Sequence, residues 1–180
     1  SDVNITKNSF NLYISGIDTY GSVNSVSRSD VNLILTINPN TNKILITTIP
    51  RDYYVTLPDK NAKDKLTHAG IYGVDESIKT IESLLNIDIN YYIKVNFSSL
   101  IDIVNALDGI TVYSDYAFTT VDGYTFVKGK NEMNGKEALS FSRERKAFTD
   151  GDRQRGKNQQ KVLEAILNKA MSASIITKYS

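Results

Sequence analysis

The segment Val31 to Ile37, VNLILTI, carries apolar side chains on both of its alternating faces. A half-exposed strand cannot tolerate that, so the segment predicts a central strand buried on both sides. The residues after it constrain the neighbourhood further. Asn38-Pro39-Asn40-Thr41-Asn42 is turn chemistry, and Lys43 to Ile49, KILITTI, is β-branched and completes a hairpin. Pro50 stops the ladder, leaving Arg51 and Asp52 just past a strand end.

Other segments supply the rest of the architecture. Leu12 to Ile17, Asn90 to Phe97, Ile110 to Tyr113 and Tyr124 to Val127 read as strands, with Asp122-Gly123 at a hairpin tip. Val74, Ile78, Ile81, Leu84 and Leu85 recur at helical spacing. A second amphipathic helix covers Ser98 to Leu107, and a short helical piece covers Gly135 to Ser140. A long last helix runs from an Asp152 cap to about Ser172. Residues 19–29 and 58–70 read as loops. Strands and helices mix without strict alternation, which predicts an α/β/α layered domain with a mixed central β-sheet. The 180 residues read as one domain, 1–180.

Composition excludes several chemistries. There is no Cys and a single His, His68, so thiolate zinc sites, thiol catalysis and disulfides are ruled out. His68 has no nucleophile motif beside it and reads as structural. The formal charge is +1, which argues against bulk binding of nucleic acid. No apolar run approaches the roughly 20 residues that span a bilayer.

Inside that balanced charge lies an asymmetry. Of 21 cations only six are Arg: Arg28, Arg51, Arg143, Arg145, Arg153 and Arg155. They stand beside Asp, at strand ends or at a helix start. Arg is required over Lys where a planar fork must grip an oxyanion. Residues 143–157 hold six cations and three anions and run into a helix N-terminus. That segment suits phosphate binding or is a solvated charged loop. Helical spacing sets Arg155 and Gln159 in line with Val162, Ile166 and Ala170, so both should border the core or a cleft. Arg153 should be more exposed. Asp18 and Asp30 flank strand ends; they form either a magnesium site or a pair of turn caps.

Six blocks in order resemble the LytR-CpsA-Psr family of bacterial cell-envelope proteins. They are Ser15-Gly16-Ile17-Asp18, Ser27-Arg28-Ser29-Asp30 running into VNLILTINP, Ile49-Pro50-Arg51-Asp52, the strand from Asn90 to Phe97, Leu107-Asp108-Gly109-Ile110-Thr111-Val112, and Gly135 to Arg145 followed by Asp152-Arg153-Gln154-Arg155 and Gln159. The resemblance implies a phosphotransferase. Such an enzyme moves a glycopolymer, wall teichoic acid or capsule for example, from a polyprenyl pyrophosphate onto a peptidoglycan hydroxyl through a phosphodiester. It implies magnesium, or manganese, on Asp18 and Asp30. It implies pyrophosphate binding by Arg28, Arg51, Arg143, Arg145, Arg155 and Gln159. Arg51, Arg143, Arg145 and Arg155 are the candidate catalytic group, and Asp52, Asp150 and Asp152 are the candidate bases. The implied location is the extracellular face of the cytoplasmic membrane of a Gram-positive bacterium, tethered by a helix before Ser1, with no nucleic-acid partner. A hydrolase of lipid pyrophosphates and a non-catalytic polyprenyl-phosphate binder are the alternatives. The family often carries two glycines where this chain has Asp108-Gly109.

Overall fold

The computed structural model describes residues 8–17, 28–41 and 43–179. Two compact units divide the chain, Ser1–Asn96 and Phe97–Ser180. The first unit contains β1 (Phe10–Gly16), β2 (Val31–Asn38), β3 (Lys43–Thr48), β4 (Tyr54–Leu57), β5 (Ala62–Lys65), α1 (Leu66–Ala69), α2 (Val74–Leu85) and β6 (Tyr91–Val95). Four of its strands form one sheet in the order β3-β2-β1-β6. The β1–β2 and β2–β3 pairs are antiparallel and β1–β6 is parallel. The sheet is therefore mixed, and the α/β expectation holds.

Burial explains the central position of β2. Leu33 and Ile34 are successive residues on opposite faces, and both are fully buried. On the Ile34 face, Tyr13 and Ile34 pack with Ile49, Val55, Leu57, Leu66, Ala69 and Ile81, joined by Ile78 and Leu85. Helix α2 thus lays its stripe against this face. Val74 and Leu84, at the margins of the expected stripe, are exposed instead. Tyr13 carries a polar tip into this apolar layer. Its hydroxyl donates to Asn32 Oδ1, and burial pushes the phenol well above the usual tyrosine range.

Residues 58–70, expected as loop, are structured. Pro58–Lys60 form a single 3-10 turn, β5 pairs antiparallel with β4, and α1 follows. The signal was hidden because the four residues of β5 are Ala-Lys-Asp-Lys, with no apolar alternation.

The second unit contains α3 (Phe97–Ala106), β7 (Ile110–Ser114), β8 (Phe118–Thr119), β9 (Thr125–Phe126), β10 (Gly129–Met133), α4 (Gly135–Arg143) and α5 (Gly151–Tyr179). Strand β7 pairs with β10, and β8 with β9. Strand β10 is a polar edge segment that periodicity does not reveal. Helix α4 opens on a capping box: Asn134 Oδ1 accepts the Glu137 N–H at 2.9 Å, and Glu137 Oε1 accepts the Asn134 N–H at 3.1 Å. Leaving α3, Asp108 and Gly109 adopt φ of 58° and 90°. Asp is among the few side chains that tolerate the first of these angles, and glycine is suited to the second. A Cβ on Gly109 would also lie 2.9 Å from the Met133 carbonyl oxygen. Among the described residues, no helix is long and apolar enough to cross a membrane.

Candidate functional site

In the first unit, Asp30 and Arg51 meet at the end of the sheet. The Asp30 N–H donates to the Gly16 carbonyl at 2.8 Å, which fixes Asp30 where β1 ends and β2 begins. Arg51 arrives from the end of β3. Thr67 ties the two segments together. Its carbonyl accepts the Ser29 N–H at 3.3 Å, and its N–H donates to the Arg51 carbonyl at 2.8 Å. With both backbones held, Arg51 Nη1 donates to Asp30 Oδ1. The Asp30 side chain is only 10% exposed and that of Arg51 is 32% exposed, so the pair is partly shielded from water. Such shielding strengthens charge-assisted contacts relative to surface ones.

Arg28 is exposed. Asp18 falls outside the described residues. Asp52 is exposed, with Lys65 Nζ 3.5 Å from its carboxylate. His68 places Nδ1 2.7 Å from Asp64 Oδ1, and that hydrogen bond holds Asp64 below the usual carboxylate range. The His is thus engaged locally, as its surroundings in sequence suggested.

In the second unit, the chain between α4 and α5 presents the remaining arginines. Arg143 is exposed at the last turn of α4, with its guanidinium 4.8 Å from the Phe97 ring centroid. Glu144 turns inward, and Arg145 turns outward again. Arg145 Nη1 is 3.2 Å from Asp152 Oδ1, and Arg155 Nη2 is 3.9 Å from the same oxygen. One exposed carboxylate therefore collects two guanidinium groups, the second of which is largely buried.

Helix α5 begins two residues before the start that an Asp152 cap would give. Asp150, rather than Asp152, takes the capping role: its Oδ1 accepts the Arg153 N–H at 3.4 Å. Asp152 thereby lies within the first helical turn, able to face Arg145. Arg155 and Gln159 are partly buried and Arg153 is exposed, as helical spacing indicated. The deeper positions are Gln154 and Asn158. Gln154 Nε2 donates to Asn158 Oδ1 at 3.0 Å and to Asp115 Oδ2 at 3.2 Å, a bond that lowers the Asp115 pKa. Stepping back by four from buried Val162 reaches both residues; their polarity disguised the stripe.

Gly151 allows α5 to start against Arg145. A Cβ on Gly151 would lie 2.4 Å from the Arg145 carbonyl oxygen and 3.0 Å from its carbon. The obstacle is backbone, so G151A must displace Arg145 or the helix start. G151A is expected to lower stability by about 1–3 kcal/mol. Chemical denaturation checks this loss.

Among the described residues, no three His, Cys, Asp or Glu gather to hold a metal. The chemistry on display is guanidinium set against carboxylate, which suits oxyanions with hard cations. A model of the LytR_cpsA_psr family matches residues 1–180. The chain belongs to the LytR-CpsA-Psr family. It is 38% identical over 174 residues to the polyisoprenyl-teichoic acid–peptidoglycan teichoic acid transferase TagU of Bacillus subtilis (strain 168), covering 96% of this chain and 56% of that protein. This LytR-CpsA-Psr chain thus spans little more than half the length of that relative. A structure of TagT bound to LIIa-WTA superposes with a TM-score of 0.78 at 36% identity, covering 94% of this chain and 66% of the other. A structure of TagT with bound octaprenyl pyrophosphate lipid gives 0.73 at 32% identity, covering 96% and 69%.

Proposed function

We propose that this chain carries the catalytic machinery of a phosphotransferase that moves a glycopolymer from a polyprenyl pyrophosphate onto peptidoglycan. The supporting observation is the pairing of Arg51 with Asp30 on a backbone held by Gly16 and Thr67. A fork so positioned can grip a pyrophosphate oxygen without reorganising. Arg28 belongs to the same segment. In the second unit, Arg143, Arg145, Arg155 and Gln159 are proposed as pyrophosphate ligands. Relatives with these activities and ligands in their names support the substrate class.

The chemistry is displacement at phosphorus. The acceptor hydroxyl oxygen forms a bond to the phosphorus that carries the glycopolymer, and the bridging P–O bond breaks. Polyprenyl phosphate leaves with that electron pair, and the hydroxyl proton passes to a base. Guanidinium groups neutralise charge on the transferring and leaving phosphates, so catalysis is mainly positioning and electrostatics. Asp52, Asp150 and Asp152 are the candidate bases, all exposed carboxylates. Asp30 offers the hard oxygen that suits magnesium or manganese, and with Asp18 it would hold the ion. When bound, such an ion offsets pyrophosphate charge. The polyprenyl tail of the substrate ties the reaction to a membrane surface, which we place at the outer face of a Gram-positive cytoplasmic membrane.

The test is incubation with lipid-linked teichoic acid precursor, with and without peptidoglycan oligomers. A phosphodiester product that requires the acceptor is expected. Release of phosphorylated glycan without acceptor would instead establish a hydrolase, and binding without turnover a carrier module.

A further inference from the structure

Glu144 is the buried residue between two exposed arginines, and nothing in the proposed chemistry uses it directly. Its side chain is 5% exposed. Oε1 accepts the Val121 N–H at 2.7 Å, 23 residues away. Oε2 accepts the N–H groups of Arg145 and Lys146 at 2.9 and 3.0 Å. A carboxylate is costly to bury unless its oxygens are satisfied, and three main-chain donors satisfy this one.

The two oxygens do different things. Oε2 closes the turn that leads out of α4, a task that a shorter Asp or Ser commonly performs. Oε1 anchors that turn to residues 120–124, the tip of the β8–β9 hairpin. One turn earlier on the same face of α4, Ser140 Oγ makes a second anchor, 2.6 Å from Asp122 Oδ1 and 2.9 Å from Thr120 Oγ1. The exit from α4 is thus tied to the β8–β9 hairpin at the point where Arg143 and Arg145 emerge.

We propose that Glu144 is a positioning residue, whose buried carboxylate holds Arg143 and Arg145 in the geometry that grips one pyrophosphate. This rests on the function proposed above. The inward turn of Glu144 drives its two neighbours outward together. Its bonds to Arg145 and Lys146 limit how far the Arg145 backbone can swing.

The isosteric variant E144Q tests this in the intact protein. A glutamine presents one oxygen and one NH2, so in either orientation an amide donor faces a main-chain donor. Hydrogen exchange should show lost protection either at the Val121 amide or at those of Arg145 and Lys146, according to which side the NH2 takes. Affinity for octaprenyl pyrophosphate, measured well below the melting temperature, should fall about tenfold. In turnover, KM for the lipid donor should rise while KM for the peptidoglycan acceptor stays unchanged. S140A removes the other anchor to the same hairpin and should bind the lipid normally. Equal weakening in both variants would overturn a role specific to Glu144. Wild-type lipid affinity in E144Q beside a weakened R145A overturns the positioning role alone. Wild-type affinity in R145A as well overturns Arg145 as a pyrophosphate ligand, and the positioning role with it.

Discussion

Replacing Arg51 with Ala should reduce glycopolymer transfer by about 10²–10³-fold, the loss typical of removing one preorganised donor from a charged transition state. Arg51 is the cation whose partner is fixed in place, because Asp30 is pinned to Gly16 and the Arg51 carbonyl is held by Thr67. The informative companion is R51K. Lysine keeps the charge but donates from one compact ammonium, so it cannot serve Asp30 and a phosphate oxygen through one planar fork. R51K should therefore recover only a minor part of the lost activity, and thermal unfolding should show both variants folded at the assay temperature. Turnover near wild type in R51K would falsify the guanidinium argument.

The largest effect on stability is expected from F141A, at about 3–5 kcal/mol. Phe141 on α4 is fully buried. Its ring centroid lies 5.6 Å from that of Phe118 and 5.2 Å from that of Phe126, so it packs against both strands of the β8–β9 hairpin. Phe148, from the connection to α5, adds a ring 4.7 Å from Phe118. Truncation leaves a cavity that three separate chain segments would have to collapse into, and relaxation is correspondingly poor. F141L retains much of the volume and should cost less than about 1.5 kcal/mol. Urea denaturation checks both, with the m value unchanged if only the native packing is lost. F141A should also disturb the hairpin tip that receives Glu144, linking core packing to the arginine segment.

Much of this architecture was legible in the chain. VNLILTI predicted a strand buried on both faces, and Leu33 and Ile34 confirm it. The hairpin to β3, the α2 and α3 helices and the Asp122-Gly123 turn follow from periodicity and turn chemistry. Short polar strands did not announce themselves: β5 and β10 are held by their partners β4 and β7 rather than by any pattern of their own. The Asp152 cap was misplaced by two residues because Asp150 and Asp152 are equally good capping types, and Gly151 against Arg145 determines which one serves.

The candidate site divides in the same way. Arg use in a Lys-rich chain, together with six ordered motif blocks, was enough to single out the arginines and to assign the family. Helical spacing also separated Arg155 from Arg153. These are local properties, set by residue type and by the 3.6- and two-residue repeats. Which charges meet is a different matter. The contact of Arg51 with Asp30, the gathering of Arg145 and Arg155 at Asp152, and the reach of Glu144 to Val121 depend on which elements become neighbours and in what register. A chain's own spacing does not encode that register; it is chosen when buried faces close on one another, and only the tertiary structure decided it.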